Sequence, residues 1–244
     1  MLDNYLVLIY ICFIISIQSS VGVGVLVLGT PYLLLIGYNI LEVLFILLPL
    51  SILTSIINIF VIRLSNKNLN VSTWKGLKKF FIVCIPSIIL GLFILKYFQE
   101  IINFKMLVSL VIIFSILLIL VKDKIKLRVN FFRISILSVV GVIHGLTNSG
   151  GTLMSLALST DNKKSNARYS ITFFYLALAS FQYFVTILIF KESFFYVLNY
   201  SLMISLIFGI FLGNILINYI SENKYKLIIN ILAIVSSIIL LISI

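Results

Sequence analysis

Eight apolar runs separated by short polar clusters fill this chain almost from end to end: residues 4–29, 39–62, 77–95, 103–121, 131–158, 167–190, 196–219 and 224–243. A helix needs roughly 20 apolar residues to cross the hydrocarbon core of a bilayer. Lipid offers no hydrogen bonds, so such runs fold as helices that satisfy their own backbone. Soluble domains are about 45–50% apolar and about 25% charged; here 62% of residues are hydrophobic and 10% charged. The expected architecture is one all-α polytopic membrane domain over residues 1–244, with about eight transmembrane helices.

The net charge of +11 does not point to nucleic acid, because the basic residues sit in short loops, where Lys and Arg set topology. Alternating the loops puts eleven of them (Arg63, Lys67, Lys75, Lys78, Lys79, Lys122, Lys124, Lys126, Arg128, Arg133, Lys191) on one side. Seven fall on the other: Lys96, Lys105, Lys163, Lys164, Arg168, Lys224 and Lys226. The richer side is expected to be cytoplasmic, with both termini there and the chain in the cell's inner (plasma) membrane. Trp74, beside Lys75, reads as an interfacial anchor. Cys12 and Cys84 lie inside apolar runs and read as core residues.

Two segments depart from simple spans. From Tyr5 to Ile36 the chain is uncharged for 32 residues, too long for one upright helix, and Gly22, Gly24, Gly29 and Pro31 interrupt it. The fifth run carries Gly141, Gly145, Gly150 and Gly151. Broken or re-entrant helices are therefore expected near 20–36 and 145–160. They occupy matching places in two four-helix pseudo-repeats, about 1–122 and 128–244, and each is followed by a charge, Glu42 or Arg168. Interrupted segments at matching places in two halves mark a transporter binding site.

Residues 144–159 concentrate polar groups where lipid tolerates few. One continuous helix would line up His144, Asn148, Thr152, Ser155 and Ser159 on a stripe. A break at Gly150-Gly151 would instead start a half-helix near Ser149, whose free N–H groups and positive dipole end suit an anion. Small residues also serve close helix packing, and Gly141-xxx-Gly145 fits that use. The substrate-binding candidates are His144, Asn148, Ser149, Gly150, Gly151, Thr152, Ser20, Gly22, Gly24 and Gln182. Glu42 and Arg168 are gating or coupling candidates. Each also has a structural reading, Glu42 as an interfacial residue and Arg168 as a topology or phospholipid contact. Gln182 has helix–helix bonding as its alternative, with Asn58 and Thr54 as weaker cases. Pro49 and Pro86 are expected to kink their spans.

The stretches SSVGVGVLVLGTPYLLL (19–35) and HGLTNSGGTLMSLALS (144–159) resemble the paired signature regions of the TauE/SafE sulfite exporter family. The eight-span, two-half layout is similar as well. The resemblance implies an inner-membrane permease for a small sulfur-containing anion, such as sulfite or an organosulfonate, without a cofactor. No GxxxxGK[ST] loop is present, which leaves an ion gradient, of protons or sodium, as the energy source. His144 is a candidate proton carrier because its ordinary pKa is near neutrality. The alternatives are a transporter of another small metabolite and an intramembrane enzyme. The enzyme is poorly served: Ser149 and His144 are five apart, no second histidine exists, and the carboxylates are scattered. Association into a homo-oligomer is compatible with the sequence.

Overall fold

The computed structural model describes residues 5–65, 69, 78–110, 113–114, 117, 134–159, 164–191, 199–221, 224, 227–228, 231, 234–235 and 238; at 152–153, 156–157 and 159 it describes the backbone alone. Its principal helices are α1 (Tyr5–Val21), α2 (Val25–Leu35), α3 (Ile40–Ser65), α4 (Ile85–Phe98), α5 (Ile134–Thr147), α6 (Gly150–Ser159), α7 (Lys164–Phe190) and α8 (Tyr200–Tyr219). Among the described residues there is no strand. The protein is an all-helical polytopic membrane protein.

Among the described residues, four helices are long and apolar enough to cross a bilayer unaided: α3, α4 with the turn before it, α7 and α8. α1 and α5 are shorter, at 17 and 14 residues, because a break cuts each run. The runs at 103–121 and 224–243 lie largely outside the described residues, as do Trp74 and most of the loop cations; residues 104–110 are helical.

Local chemistry sets the ends. Asn39 Oδ1 accepts from the Glu42 amide and Glu42 Oε2 accepts from the Asn39 amide, both at 2.9 Å, a reciprocal cap that starts α3. Asn199 Oδ1 accepts from the Ser201 amide at 3.0 Å and starts α8. A π-helical turn, Phe80–Cys84, leads into α4. Pro86 lacks the amide that an α-helix would direct back to Ile82, and the wider turn lies where that bond is missing.

The first expected break is narrower than its glycines and proline indicate. It spans residues 22–24, and α2 continues through Gly29 and Pro31 to Leu35. Gly29 serves packing instead: a Cβ there would meet Leu47 of α3 at 2.8 Å. Every residue of α2 from Val25 to Pro31 is buried, and that packing holds the helix across the amide Pro31 lacks.

Glycines bring the long helices into backbone contact. A Cβ on Gly213 of α8 would lie 2.2 Å from the Ser16 carbonyl oxygen of α1 and 2.5 Å from Ser19. On Gly91 of α4 it would lie 2.4 Å from the Val142 oxygen of α5 and 3.1 Å from Gly145. Gly145 and Gly141 meet the Ile88 and Cys84 oxygens in the same seam. Association in lipid depends on such close fits rather than on apolar burial. The outward side chains of α8, including Phe208, Phe211 and Leu216, are exposed on the surface that faces lipid.

Candidate functional site

Each broken helix leaves carbonyls without partners on one side and amides without partners on the other. At the first break, Gly22 has φ 91°, a left-handed conformation that glycine adopts without a steric penalty. Gln18 fills the gap from within α1. Its Oε1 accepts from the Val25 amide at 3.1 Å, occupying the N-terminus of α2. Its Nε2 donates to the Ser51 carbonyl (3.0 Å) and to the Ser55 hydroxyl (3.1 Å) of α3.

On the carbonyl side, the Arg168 guanidinium of α7 donates to the Ser19 carbonyl, and to Asn214 Oδ1 of α8 at 2.7 Å. Asn214 in turn donates to Asn58 Oδ1 (3.1 Å), and Asn58 donates to the Ser19 hydroxyl (3.2 Å). Ser20 turns its hydroxyl back to the Ile17 carbonyl at 2.9 Å. Gly22 and Gly24 are close-approach positions: a Cβ would meet Arg168 O at 3.1 Å and Gln18 N at 2.9 Å. This break is closed by the protein's own groups.

The second break differs. Asn148 sits at φ 61°, a conformation that asparagine tolerates better than most residues, and ends α5 before α6 begins at Gly150. The continuous stripe from His144 to Ser159 is therefore replaced by two half-helices. The Ser149 hydroxyl donates to the Thr147 carbonyl at 3.2 Å. Asn148 Nδ2 donates to Thr30 Oγ1 of α2 at 3.3 Å, and Gln182 Nε2 donates to the His144 carbonyl at 2.9 Å. Gly151 packs on Tyr175 of α7, where a Cβ would lie 2.1 Å from the ring. The His144 and Tyr175 rings are 6.4 Å apart, centre to centre.

Around this break several buried polar atoms have no hydrogen-bond partner among the described residues: both ring nitrogens of His144, Asn148 Oδ1, Gln182 Oε1 and the Tyr175 hydroxyl. The Tyr175 hydroxyl faces the Leu26 and Val27 amides at the start of α2. A buried polar group without a partner costs roughly 1–3 kcal/mol. These atoms cluster at one place, next to the N-terminus of a ten-residue helix.

The structure brings His144, Asn148, Gly150, Gly151 and Gln182 together and adds Tyr175 and Thr30, which the sequence reading passes over. Of Thr152 only the backbone, on the first turn of α6, is described. Ser20, Gly22, Gly24 and Arg168 form the other break. Arg168 is corrected in place: it is 7% exposed and bonded inside the bundle, not turned toward phospholipid. Its long side chain reaches across from the first turns of α7 to the α1 terminus. Glu42 lies in the α3 cap, and Gln182 combines helix–helix bonding through Nε2 with a free carbonyl oxygen. Gln18 and Asn214 carry the same signal that flagged Gln182, a lone amide in an apolar run.

Arg168, Tyr175 and Gln182 recur every seven residues along α7. Seven residues make nearly two turns, so the three share one face. That face meets the first break with Arg168, the start of α2 with Tyr175 and the second break with Gln182.

The structure is thus an apolar helical bundle in which two broken helices carry buried polar side chains at their breaks. The family model described as Sulfite exporter TauE/SafE matches residues 7–240, and the chain belongs to that family of membrane permeases for sulfur-containing anions. No curated protein and no solved structure matches it. Its substrate class is a small anion and its setting a lipid bilayer.

Proposed function

We propose that this protein is a secondary transporter that carries a small sulfur oxyanion, sulfite or an organosulfonate, through the chamber at the α5–α6 break. The observation that carries the site is the pair of buried groups able to donate, the His144 ring and the Tyr175 hydroxyl. The Asn148 and Gln182 oxygens beside them are acceptors and are left for a donor on the ligand, such as the proton of hydrogensulfite or the ammonium of taurine. The Tyr175 hydroxyl and the first amides of α6 supply donors, and a tetrahedral oxyanion supplies the acceptors that they lack. Gly150 and Gly151 allow backbone to approach the ligand. The α1–α2 break, filled by Gln18, positions α2 and its Thr30 against Asn148.

The two halves, about 1–122 and 128–244, are read as related repeats. Gly22 and Asn148 each take a positive φ straight after the broken helix, and Gly213 and Gly91 make matching contacts with α1 and α5. The loop charges favour the inner membrane with both termini cytoplasmic.

The test is thermal stability of the full chain in detergent with sulfite, thiosulfate, sulfate, taurine, sulfoacetate or chloride. A ligand at about 100 times its Kd stabilises by about 2.7 kcal/mol. Selective stabilisation by a sulfur oxyanion, lost in Asn148→Gly and Tyr175→Phe, is expected. Stabilisation unchanged in both variants would move the site elsewhere, and no response to any anion from folded protein would reject the reading.

A further inference from the structure

The chamber lacks a fixed positive charge among the described residues that line it. Arg168 lies seven residues from Tyr175 along α7, bonded to Ser19 and Asn214. Lys96, at the far end of α4, donates to the Ile189 carbonyl. The titratable groups around His144 are few. α7 presents Tyr175; the turn before α4 places Cys84 against Gly141, one turn back along α5. α6 has no titratable side chain, and Tyr32 of α2 stacks on Tyr10 instead, at 3.8 Å. An isolated anion or cation in so buried a place costs several kcal/mol, whereas a hydrogen-bonded pair offsets much of that cost.

His144 is the one side chain of the cluster that can become a cation near neutral pH. It is fully buried, its ring faces the Asn148 backbone with neither nitrogen in a well-formed hydrogen bond among the described residues, and its carbonyl is held by Gln182, which fixes the backbone beneath the ring. We propose that His144 binds the proton that balances the substrate's charge, so that the anion and one proton enter the chamber together. This rests on the anion-site reading above. The proton comes from water, adds to Nδ1 or Nε2 and returns to water when the anion leaves. No covalent bond to the substrate forms, and each turnover moves one proton with each anion.

The sign follows from linkage. The bound state holds one more proton than the free state, so rising pH weakens binding, by about tenfold per pH unit while the free imidazole is neutral. Ligands that stay fully ionised isolate this effect from their own titration.

The experiment uses the full chain in detergent, purified on a histidine-free tag, with thiosulfate and with methanesulfonate. Protons taken up per anion bound are read with an indicator dye in weakly buffered solution, and Kd is followed from about pH 6 to 8. Wild type is expected to take up close to one proton, with Kd rising with pH. His144→Gln loses that uptake and flattens the pH profile. Because His144 is the single histidine, [15N]histidine labelling of wild type gives one pair of ring signals, and these shift to the imidazolium pattern on anion addition. That measurement needs no variant to fold. Anion binding without proton uptake, or uptake that persists in His144→Gln, would overturn the proposal and leave the anion site standing. Failure of wild type to bind either anion would count against both.

Discussion

Asn148, at the second break, donates to Thr30 on α2 across 118 residues of sequence, at 3.3 Å. The bond joins the second break to the middle of the helix whose first amide is held by Gln18 of the first break. One short helix, buried from Val25 to Pro31, therefore connects the two breaks.

Asn148 combines that bond with a left-handed backbone. Asn148→Ala loses the bond and forces a Cβ residue without a compensating side chain into positive φ, for a cost of roughly 2 kcal/mol. Asn148→Gly loses the bond alone and is expected to melt closer to wild type. Comparing the two by thermal unfolding in detergent separates the backbone role from the side-chain role.

Gly151 and Tyr175 form a second pair to test. A methyl group at 151 runs into the ring, so Gly151→Ala displaces Tyr175 from the chamber and abolishes anion stabilisation. Tyr175→Leu on that background removes the clash. A double-mutant cycle on stability is expected to show a coupling of about 1–3 kcal/mol, with the double variant melting above the sum of the singles.

Gln18→Leu fits the volume but strips the Val25 amide and the Ser51 and Ser55 groups of their partner. Its expected cost is about 2–3 kcal/mol by the unsatisfied-donor argument. Anion response should weaken too, because α2 is then free to carry Thr30 away from Asn148. A stable Gln18→Leu protein with full anion response would show that the first break is independent of the second.

Gly91→Ala tests the α4–α5 seam. The added methyl group would sit 2.4 Å from the Val142 carbonyl, and backbone on both sides leaves no flexible end to move. The helices must separate, at a cost of about 1–3 kcal/mol or more, seen as a lower melting temperature.

Glu42→Ala removes one half of the α3 cap, at about 0.5–1 kcal/mol. Anion stabilisation in this variant should match wild type after correction for that loss. A selective loss of anion response would return Glu42 to the transport machinery.

Much of this architecture is legible without coordinates, and the reasons are physical. A glycine-rich interruption in an uncharged run has few outcomes in lipid, so both breaks and the buried setting of Gln182 follow from the sequence. The difference between the breaks does not. Ser20, Gly22 and Gly24 look as exposed to a ligand as Asn148 and Gly151 do, until Gln18 is seen turning back onto the Val25 amide. Tyr175 reads as one aromatic among many, because the amides of residues 26 and 27 that it faces lie far away in sequence. Arg168 shows the limit of span counting: near the start of a helix it reads as interfacial, yet its length carries the guanidinium inward to the Ser19 carbonyl.

The seven-residue spacing on α7 has a mechanical consequence. Arg168 and Gln182 are 14 residues apart on one unbroken helix of 27 residues, which is about 21 Å along the axis. Turning α7 about its long axis swings Arg168, Tyr175 and Gln182 in the same sense and by the same angle. Like three lobes in line on one camshaft, these groups can change places only together, so any rotation of α7 would reach both breaks at once.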